Sequence, residues 1–498
     1  MTHPAAVRRR AAVIGGGVIG GGWLARFLLN GWDVNVFDPD PEAERKLAEV
    51  LANARRSLPS LYDVALPASG KMRLCRTVEE AVADAEWIQE SVPERLELKH
   101  RVMTQIQAAM PPSALIGSST SGFKPSELGA GVPRPESVLV VHPFNPVYLL
   151  PVVEVVPHAS VTETSIARAQ ETLRSIGMMP LRLRREIDAH VADRFLEAVW
   201  REALWLVKDD IATTQEIDDV IRFGFGIRWA QMGLFETYRI AGGEAGMAHF
   251  LAQFGPCLKW PWTKLMDVPD LDDALVKKIS DQSDAQSGMR SIRELERIRD
   301  DNLVSMMRAL KGRNWASGRT LREHDDRLRR EVAPPDWSQP ILTVARTVPI
   351  DWTDYNGHMN EAKYLDLFSS AADRFMELVG CDAAYVAAGS SYFTAESHLQ
   401  HIAEAHAGER VRVLTQLLAG SGKKLHLFHR LFAEGEGAGG AAAEGRLLAT
   451  GEQFLIHVSL ETRRSSVPST AVQERLRDIE SKHAALPRPG RLHCGQRD

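Results

Sequence analysis

A chain of 498 residues is longer than one hydrophobic core usually serves, so roughly two to four domains are expected. Its composition, 44% hydrophobic and 25% charged with a net charge of −5, is that of an ordinary globular protein and gives no electrostatic case for nucleic-acid binding. Four scattered cysteines, Cys75, Cys257, Cys381 and Cys494, form no CxxC pair, which argues against a disulfide framework or a structural metal site and fits a reducing compartment.

Near the amino terminus, Arg8, Arg9 and Arg10 precede the apolar run AAVIGGGVIGGGWLARFLL and imitate a signal peptide. Six of residues 15 to 22 are glycine, and each weakens a helix by up to about 1 kcal/mol relative to alanine. No other stretch is apolar enough to span a bilayer, so no membrane partner and a cytoplasmic location are expected. The same segment reads better as a buried strand (Ala11 to Ile14), a glycine turn, an apolar helix and a second strand ending at Asp38. Gly15, Gly17 and Gly20 fill the GxGxxG positions, with Val18 and Ile19 between them. In that pattern the first glycine makes the turn, the second admits a pyrophosphate, and the third lets helix and strand pack. Asp38 can accept hydrogen bonds from a ribose 2′-hydroxyl and would repel a 2′-phosphate, so the expected cofactor is NAD.

Further along, AEWIQESVPERLELKHRVMTQIQAAM reads as a strand to about Val92, a turn at Pro93 and a helix from about Leu96, and SALIGSSTSG as another strand and polar turn. Alternating strands and helices imply an α/β Rossmann-type doubly wound sheet, whose ligands bind at the carboxyl ends of the strands. Glu94, Ser119 and Ser121 lie at such ends, where ordinary turn chemistry also favours them. The aliphatic stretch VVHPFNPVYLLPVVEVV then carries His142 and Glu154. A buried histidine can be a mere packing residue, so the pair alone decides nothing.

Taken in order, GGGVIGGG, ESVPERLELK, SSTSG and HPFNPVYLLPVVEVV resemble the 3-hydroxyacyl-CoA dehydrogenase family over residues 8 to about 325. The resemblance implies that His142 is a general base and Glu154 its orienter, that Ser121 binds the reacting oxygen, and that Glu94 and Lys99 belong to the cofactor loop. One departure stands out: where family members usually have asparagine, this chain has Asp193. A carboxylate cannot donate a hydrogen bond to a substrate carbonyl but suits a cation; alternatively, Asp193 pairs with Arg194 or caps a helix. Phe223, Phe225, Trp229, Phe235, Tyr238, Trp260 and Trp262 follow. Aromatic faces attract quaternary ammonium ions, although most of these seven are expected to be core packing. Asn145, Asp193, Arg228 and Trp229 are the substrate-binding candidates, Arg228 for a carboxylate. Within the family the chain resembles the bacterial L-carnitine 3-dehydrogenases, which implies carnitine as substrate; an ordinary acyl-CoA substrate, or a decayed NAD-binding protein, remains open.

After a charged helix, Pro334, Pro335 and Pro340 mark a linker. Beyond it the pattern becomes one long helix and a set of strands, an α+β domain. Within it DWTDYNGHMNEAKYLDLF resembles the 4-hydroxybenzoyl-CoA thioesterase branch of the hotdog fold. That resemblance makes Asp354 the catalytic carboxylate acting on an acyl-CoA thioester, expected from pathway logic to be betainyl-CoA. His358 is an alternative base, Asn356 and Asn360 are turn or cap residues, and the amides near Gly357 and His358 are oxyanion donors. Without the resemblance, Asp354 reads as a helix cap and this domain as an oligomerisation module. The expected organisation is a Rossmann domain at 1–187, an all-α helical domain at 188–330, a linker at 331–340, a hotdog domain at 341–462, and a helix with a disordered tail at 463–498. A low-complexity hairpin loop is expected at 434 to 445. The partners expected are small-molecule substrates and a second copy of the chain in a homodimer.

Overall fold

The computed structural model describes residues 8–241, 246–256, 263, 270, 272–287, 289–331, 334–434, 445–490 and 492–495. Trp260, Trp262, Cys257 and nearly all of the low-complexity segment lie outside the described residues. The chain forms two compact units, one of residues 1–55 and 69–324, the other of residues 56–68 and 325–498.

The first unit is built on eight strands: β1 (Arg10–Ile14), β2 (Asp33–Phe37), β3 (Met72–Leu74), β4 (Trp87–Glu90), β5 (Leu115–Ser118), β6 (Val138–Pro143), β7 (Val152–Pro157) and β8 (Met179–Arg182). They lie in the order β3-β2-β1-β4-β5-β6-β7-β8. Every pairing is parallel except that of β6 with β7. Central strands such as RAAVI and WIQE are buried on both faces, which is why RAAVI is apolar almost throughout rather than alternating, while the buried Gln89 and Glu90 of WIQE are hydrogen-bonded. Strand order reverses between β1 and β4, and that switch point is where such sheets hold a ligand.

Helix α1 (Val18–Leu29) follows β1 through the glycine turn. A Cβ at Gly20 would stand 1.7 Å from the Gly15 carbonyl oxygen, so the helix can lie against its own strand only with glycine there. The helical region comprises Ala192–Lys208, Thr214–Val220, Gly226–Ala241, Gly246–Phe254, Asp273–Ser287, Ile292–Gly312 and Ser317–Glu331, with a π-helical turn at Ile221–Phe225. A hydrogen bond of 2.7 Å from the Tyr148 hydroxyl to Asp300 Oδ2 ties Ile292–Gly312 to the loop after β6. The expectation that the aromatics here are mainly core packing is corrected: Phe223 and Phe235 are 76% and 70% exposed. Their helices present an apolar face that the described residues leave exposed.

In the second unit the helix Glu361–Leu378 packs Leu367, Phe368 and Phe375 against a five-stranded antiparallel sheet. The strands are β9 (Ile341–Thr347), β10 (Ser390–His401), β11 (Arg410–Ala419), β12 (Lys424–Ala433) and β13 (Arg446–Ser459), in the order β10-β13-β12-β11-β9. One long helix wrapped by such a sheet is the hotdog arrangement. Segment 56–68 folds with this unit: the Ala65 amide donates to Ala345 O on edge strand β9 at 2.7 Å, and Arg346 pairs with Asp63 at 2.9 Å. The expected disorder of the carboxyl tail is also corrected. Helix Thr470–His483 places Val472, Leu476 and Ile479 in the core, and the amides of His493 and Cys494 donate to Glu452 at 2.8 and 2.9 Å. A buried carboxylate in need of donors holds down a segment too polar to pack by its side chains.

The tightest steric constraint gives a direct test. Gly20→Ala should destabilise the first unit by at least the 1–3 kcal/mol or so typical of overpacking, read as a lowered thermal midpoint together with loss of NAD binding in fluorescence titration.

Candidate active sites

The cofactor end of the first unit lies at the carboxyl ends of β1, β4 and β5. Gly15 has φ +97°, and a Cβ there would meet the Ser91 carbonyl oxygen at 2.6 Å; at Gly17 a Cβ would meet nothing within 4 Å. Gly17 caps α1 with extended backbone, so open space stands directly before a helix amino terminus, as a pyrophosphate requires. Val18, 63% exposed, faces solvent at the first turn, with Ile19 half-buried beside it. At the end of β2, Asp38 accepts the Gly16 amide through Oδ2 and the Asp40 amide through Oδ1, which fixes its carboxylate beside the glycine turn. This donor and space arrangement fits NAD.

Two expected cofactor residues have other local roles. Ser119 Oγ accepts from Trp23 Nε1 at 3.1 Å and Gln89 Nε2 at 2.9 Å and lies 2.9 Å from Ser91 Oγ. Lys99, 1% exposed, pairs with Glu90 Oε1 at 3.0 Å and Glu94 Oε2 at 3.2 Å. It therefore supports Glu94 and the turn after β4 from beneath. Glu94 also accepts from the Thr120 hydroxyl and, at 3.0 Å, from the Gly122 amide. Burial opposes its ionisation, but the Thr120 and Gly122 hydrogen bonds and the Lys99 charge prevail and hold its pKa below the usual value.

His142 and Glu154 are direct cross-strand partners in the β6/β7 pairing, and both are buried. His142 Nδ1 lies 3.0 Å from Glu154 Oε2. With its proton on Nδ1 and donated to the carboxylate, the ring turns a bare Nε2 toward Ser121 Oγ at 3.3 Å and Asp193 Oδ2 at 3.7 Å. Glu154 Oε1 accepts the amides of Val191 and Ala192 at 3.0 and 3.2 Å, at the start of the helix Ala192–Lys208. Burial would raise the Glu154 pKa; the His142 hydrogen bond and the Val191 amide outweigh it and hold the group below its ordinary 4.5.

His190, absent from the sequence reading, is fully buried with its ring centroid 5.5 Å from that of His142. Its Nε2 lies 3.3 Å from Thr120 O, and burial, then the nearby His142, lowers its pKa. The one sequence signal was a histidine directly before the helix that carries Asp193. Asn145 is exposed and precedes a cis peptide to Pro146. Trp229 packs on Phe225 at 4.6 Å, while Arg228 is exposed on the same helix. No direct interaction among the described residues joins Asn145, Arg228 or Trp229 to the His142 group.

In the second unit Asp354 opens a tight turn. Its Oδ1 accepts the Asn356 and His358 amides at 2.8 and 3.3 Å, and its carbonyl accepts the Gly357 amide at 3.0 Å. The amides expected to polarise a thioester are thus engaged within the turn, a correction. Asn360 caps the helix, its Oδ1 accepting the Ala362 amide at 3.0 Å.

These sites place the chain in a class. Residues 10–187 match the NAD-binding domain of 3-hydroxyacyl-CoA dehydrogenase, residues 190–277 match that family's C-terminal domain, and residues 348–476 match the thioesterase-like superfamily. The chain belongs to the 3-hydroxyacyl-CoA dehydrogenase family and carries a thioesterase-like domain behind it. It is 64% identical to an L-carnitine dehydrogenase/betainyl-CoA thioesterase of Ruegeria pomeroyi, over 96% of this chain and 97% of that one. A protein of the same description from Rhizobium meliloti is 52% identical over 98% and 99%. An L-carnitine dehydrogenase of Pseudomonas aeruginosa is 51% identical over 60% of this chain and 93% of its own, so there the dehydrogenase stands without the second domain. Among solved structures, an NAD+-dependent dismutase, FHMPC 5-dehydrogenase, is 26% identical with a TM-score of 0.52, covering 61% of this chain and 99% of its own. No helix among the described residues is long and apolar enough to cross a membrane.

Glu154 gives a pH test. Its folded pKa is depressed, so it stabilises the fold above the ordinary carboxylate range, and that contribution is lost as pH falls through the folded value. Glu154→Gln should flatten the fall of unfolding free energy on acidification below about pH 5 in urea titrations, where carboxylate linkage operates. Glu154→Ala should cost about 1–3 kcal/mol for each donor left unsatisfied.

Proposed function

We propose that the first unit oxidises L-carnitine to 3-dehydrocarnitine with NAD, and that the second hydrolyses betainyl-CoA. The observation that carries the first reading is the setting of His142 Nε2, open between Ser121 Oγ and Asp193 Oδ2 while Nδ1 is held by Glu154. Ser121 hydrogen-bonds the substrate oxygen, Nε2 takes the hydroxyl proton, and Glu154 stabilises the imidazolium that forms. NAD, when bound, would supply the hydride acceptor for the carbinol carbon. Glycine turn and Asp38 orient the cofactor, and the network of Glu94, Lys99 and Ser119 keeps the loop behind it in shape.

Asp193 supplies the substrate preference. In carnitine the quaternary nitrogen is one methylene from the carbinol carbon, so a carboxylate beside the base lies where that positive charge falls. Arg228 and Asn145 are candidates for the substrate carboxylate, and Trp229 for the ammonium face. Asp354 attacks the thioester or activates water. The Glu361 amide, at the first turn of Glu361–Leu378, is the oxyanion donor. A cytoplasmic homodimer is supported by the buried free thiols of Cys75, Cys381 and Cys494 and by the exposed apolar residues Phe195, Leu196, Trp200, Phe223 and Phe235. The domain limits drawn from the sequence, with the linker at 331–340, are part of the same proposal.

The test is a panel assay of the full chain. NADH formation is expected with L-carnitine and little with 3-hydroxybutyrate or 3-hydroxybutyryl-CoA; reduction supported by the CoA ester alone would overturn the reading. His142→Asn should lower kcat by about 10²–10⁴-fold, the usual contribution of a general base. Asp193→Asn should raise KM for L-carnitine and reduce its advantage over 3-hydroxybutyrate.

The thioesterase is read separately, as free thiol released from betainyl-CoA. Asp354→Asn should abolish that release and leave NADH formation unchanged. Equal thiol release by the variant would remove Asp354 from the reaction, and no release by the wild type would assign the hotdog domain to assembly instead.

A further inference from the structure

The second unit gathers three metal-ligating side chains that neither proposed activity uses. His358 and His406 form an isolated antiparallel bridge, a pairing that sets two side chains opposite each other on one face. Glu404 stands two residues before His406. Exposed Glu404, buried Ala405 and exposed His406 alternate as an extended strand does, so Glu404 joins both imidazoles on the outer face. His358 Nε2 lies 3.4 Å from Glu404 Oε2, and the two rings have centroids 5.0 Å apart. One ligand atom from each of the three residues lies within 4.8 Å of the others.

We propose that His358, Glu404 and His406 bind a divalent transition ion of the zinc class. A tetrahedral ion with bonds of about 2.0–2.1 Å holds its ligand atoms roughly 3.3–3.4 Å apart, so the carboxylate and first imidazole already have the required separation. The third ligand needs only a side-chain rotation at an exposed position. Two imidazoles and one carboxylate favour zinc, cobalt or nickel over calcium or magnesium, which prefer all-oxygen sites. With three protein ligands the ion keeps an open position for water.

The backbone beneath is prepared. The Met359 amide donates to Ala405 O at 2.7 Å between the two segments. Arg446 Nη1 donates to Glu404 O at 2.6 Å, and the His406 amide donates to Glu409 Oε2 at 2.8 Å. These bonds hold the main chain and leave the ligand atoms free to turn outward. The His358 amide also donates to Asp354 Oδ1, so an ion here would brace the turn that presents Asp354.

Chelator-stripped, tag-free full chain, dialysed against Zn2+ alone, should bind one saturable equivalent, and Co2+ in its place should give the visible spectrum of a low-coordinate nitrogen and oxygen site. His406→Ala and Glu404→Ala should each weaken zinc binding by no less than the roughly 10–100-fold that losing an outer-shell partner costs. His398→Ala should bind as the wild type does. His398 stacks on His493 with centroids 3.8 Å apart, so it controls for adventitious binding by another histidine pair. Unchanged circular dichroism and thermal unfolding of the full chain verify that each variant is folded. Absence of saturable binding by the wild type, equal affinity in His406→Ala, or an equal loss in His398→Ala would overturn the proposal.

Discussion

The antiparallel pairing of β6 with β7, at the end of an otherwise parallel run, is the constraint on which the first unit's chemistry depends. It sets His142 and Glu154 opposite each other in register. A slip of one residue would turn Glu154 to the other face of the sheet. The same carboxylate receives the Val191 and Ala192 amides, so it also holds the start of the helix that carries Asp193. A negative group at a helix amino terminus is favoured by the helix dipole. One side chain thereby joins the sheet, His142 and the helix that carries Asp193, and the geometry of each depends on the other two.

How much of this was legible follows from how local each feature is. The glycine turn and Asp38 could be read directly because strand, turn and helix are consecutive, and their physical demands fall on adjacent residues. His142 and Glu154 could be named by resemblance, but their spacing acquires meaning only when residues 144–151 fold back between two strands. His190 comes from a distant segment with a left-handed φ of 52°, and its burial beside His142 is a tertiary event with no periodic signal. Lys99 was placed in its loop by resemblance, but its burial is likewise a tertiary event. A lysine in an acidic, helical sequence resembles a surface residue or ligand contact until Glu90 and Glu94 are found to enclose it.

In the second unit the sequence conveyed the helix and its Asn360 cap but misplaced the free amides. Asp354 has the short side chain that favours Asx turns, and it engages the amides that the resemblance would leave for substrate. The tail beyond the last helix was illegible because backbone groups, rather than an apolar pattern, anchor it; segment 56–68 buries Leu58, Leu61 and Tyr62, but the strand it joins is distant in the sequence. Glu452 holds the tail amides, and β9 accepts the Ala65 amide. Hydrophobic periodicity is silent about contacts of that kind.

On the proposed reading, charge balance around His142 discriminates between substrates. Glu154 already faces Nδ1, and Asp193, with its side chain 22% exposed, adds a second carboxylate on the Nε2 side. An uncharged acyl chain entering this site would leave Asp193 partly desolvated with no positive partner, a penalty that carboxylates incur on burial. A substrate bearing a fixed cation next to its reacting carbon offsets that charge at the point where water is excluded. On the proposed reading, specificity then arises from rejection as much as attraction: a carboxylate suited to a quaternary ammonium disfavours a substrate with no cation at that point.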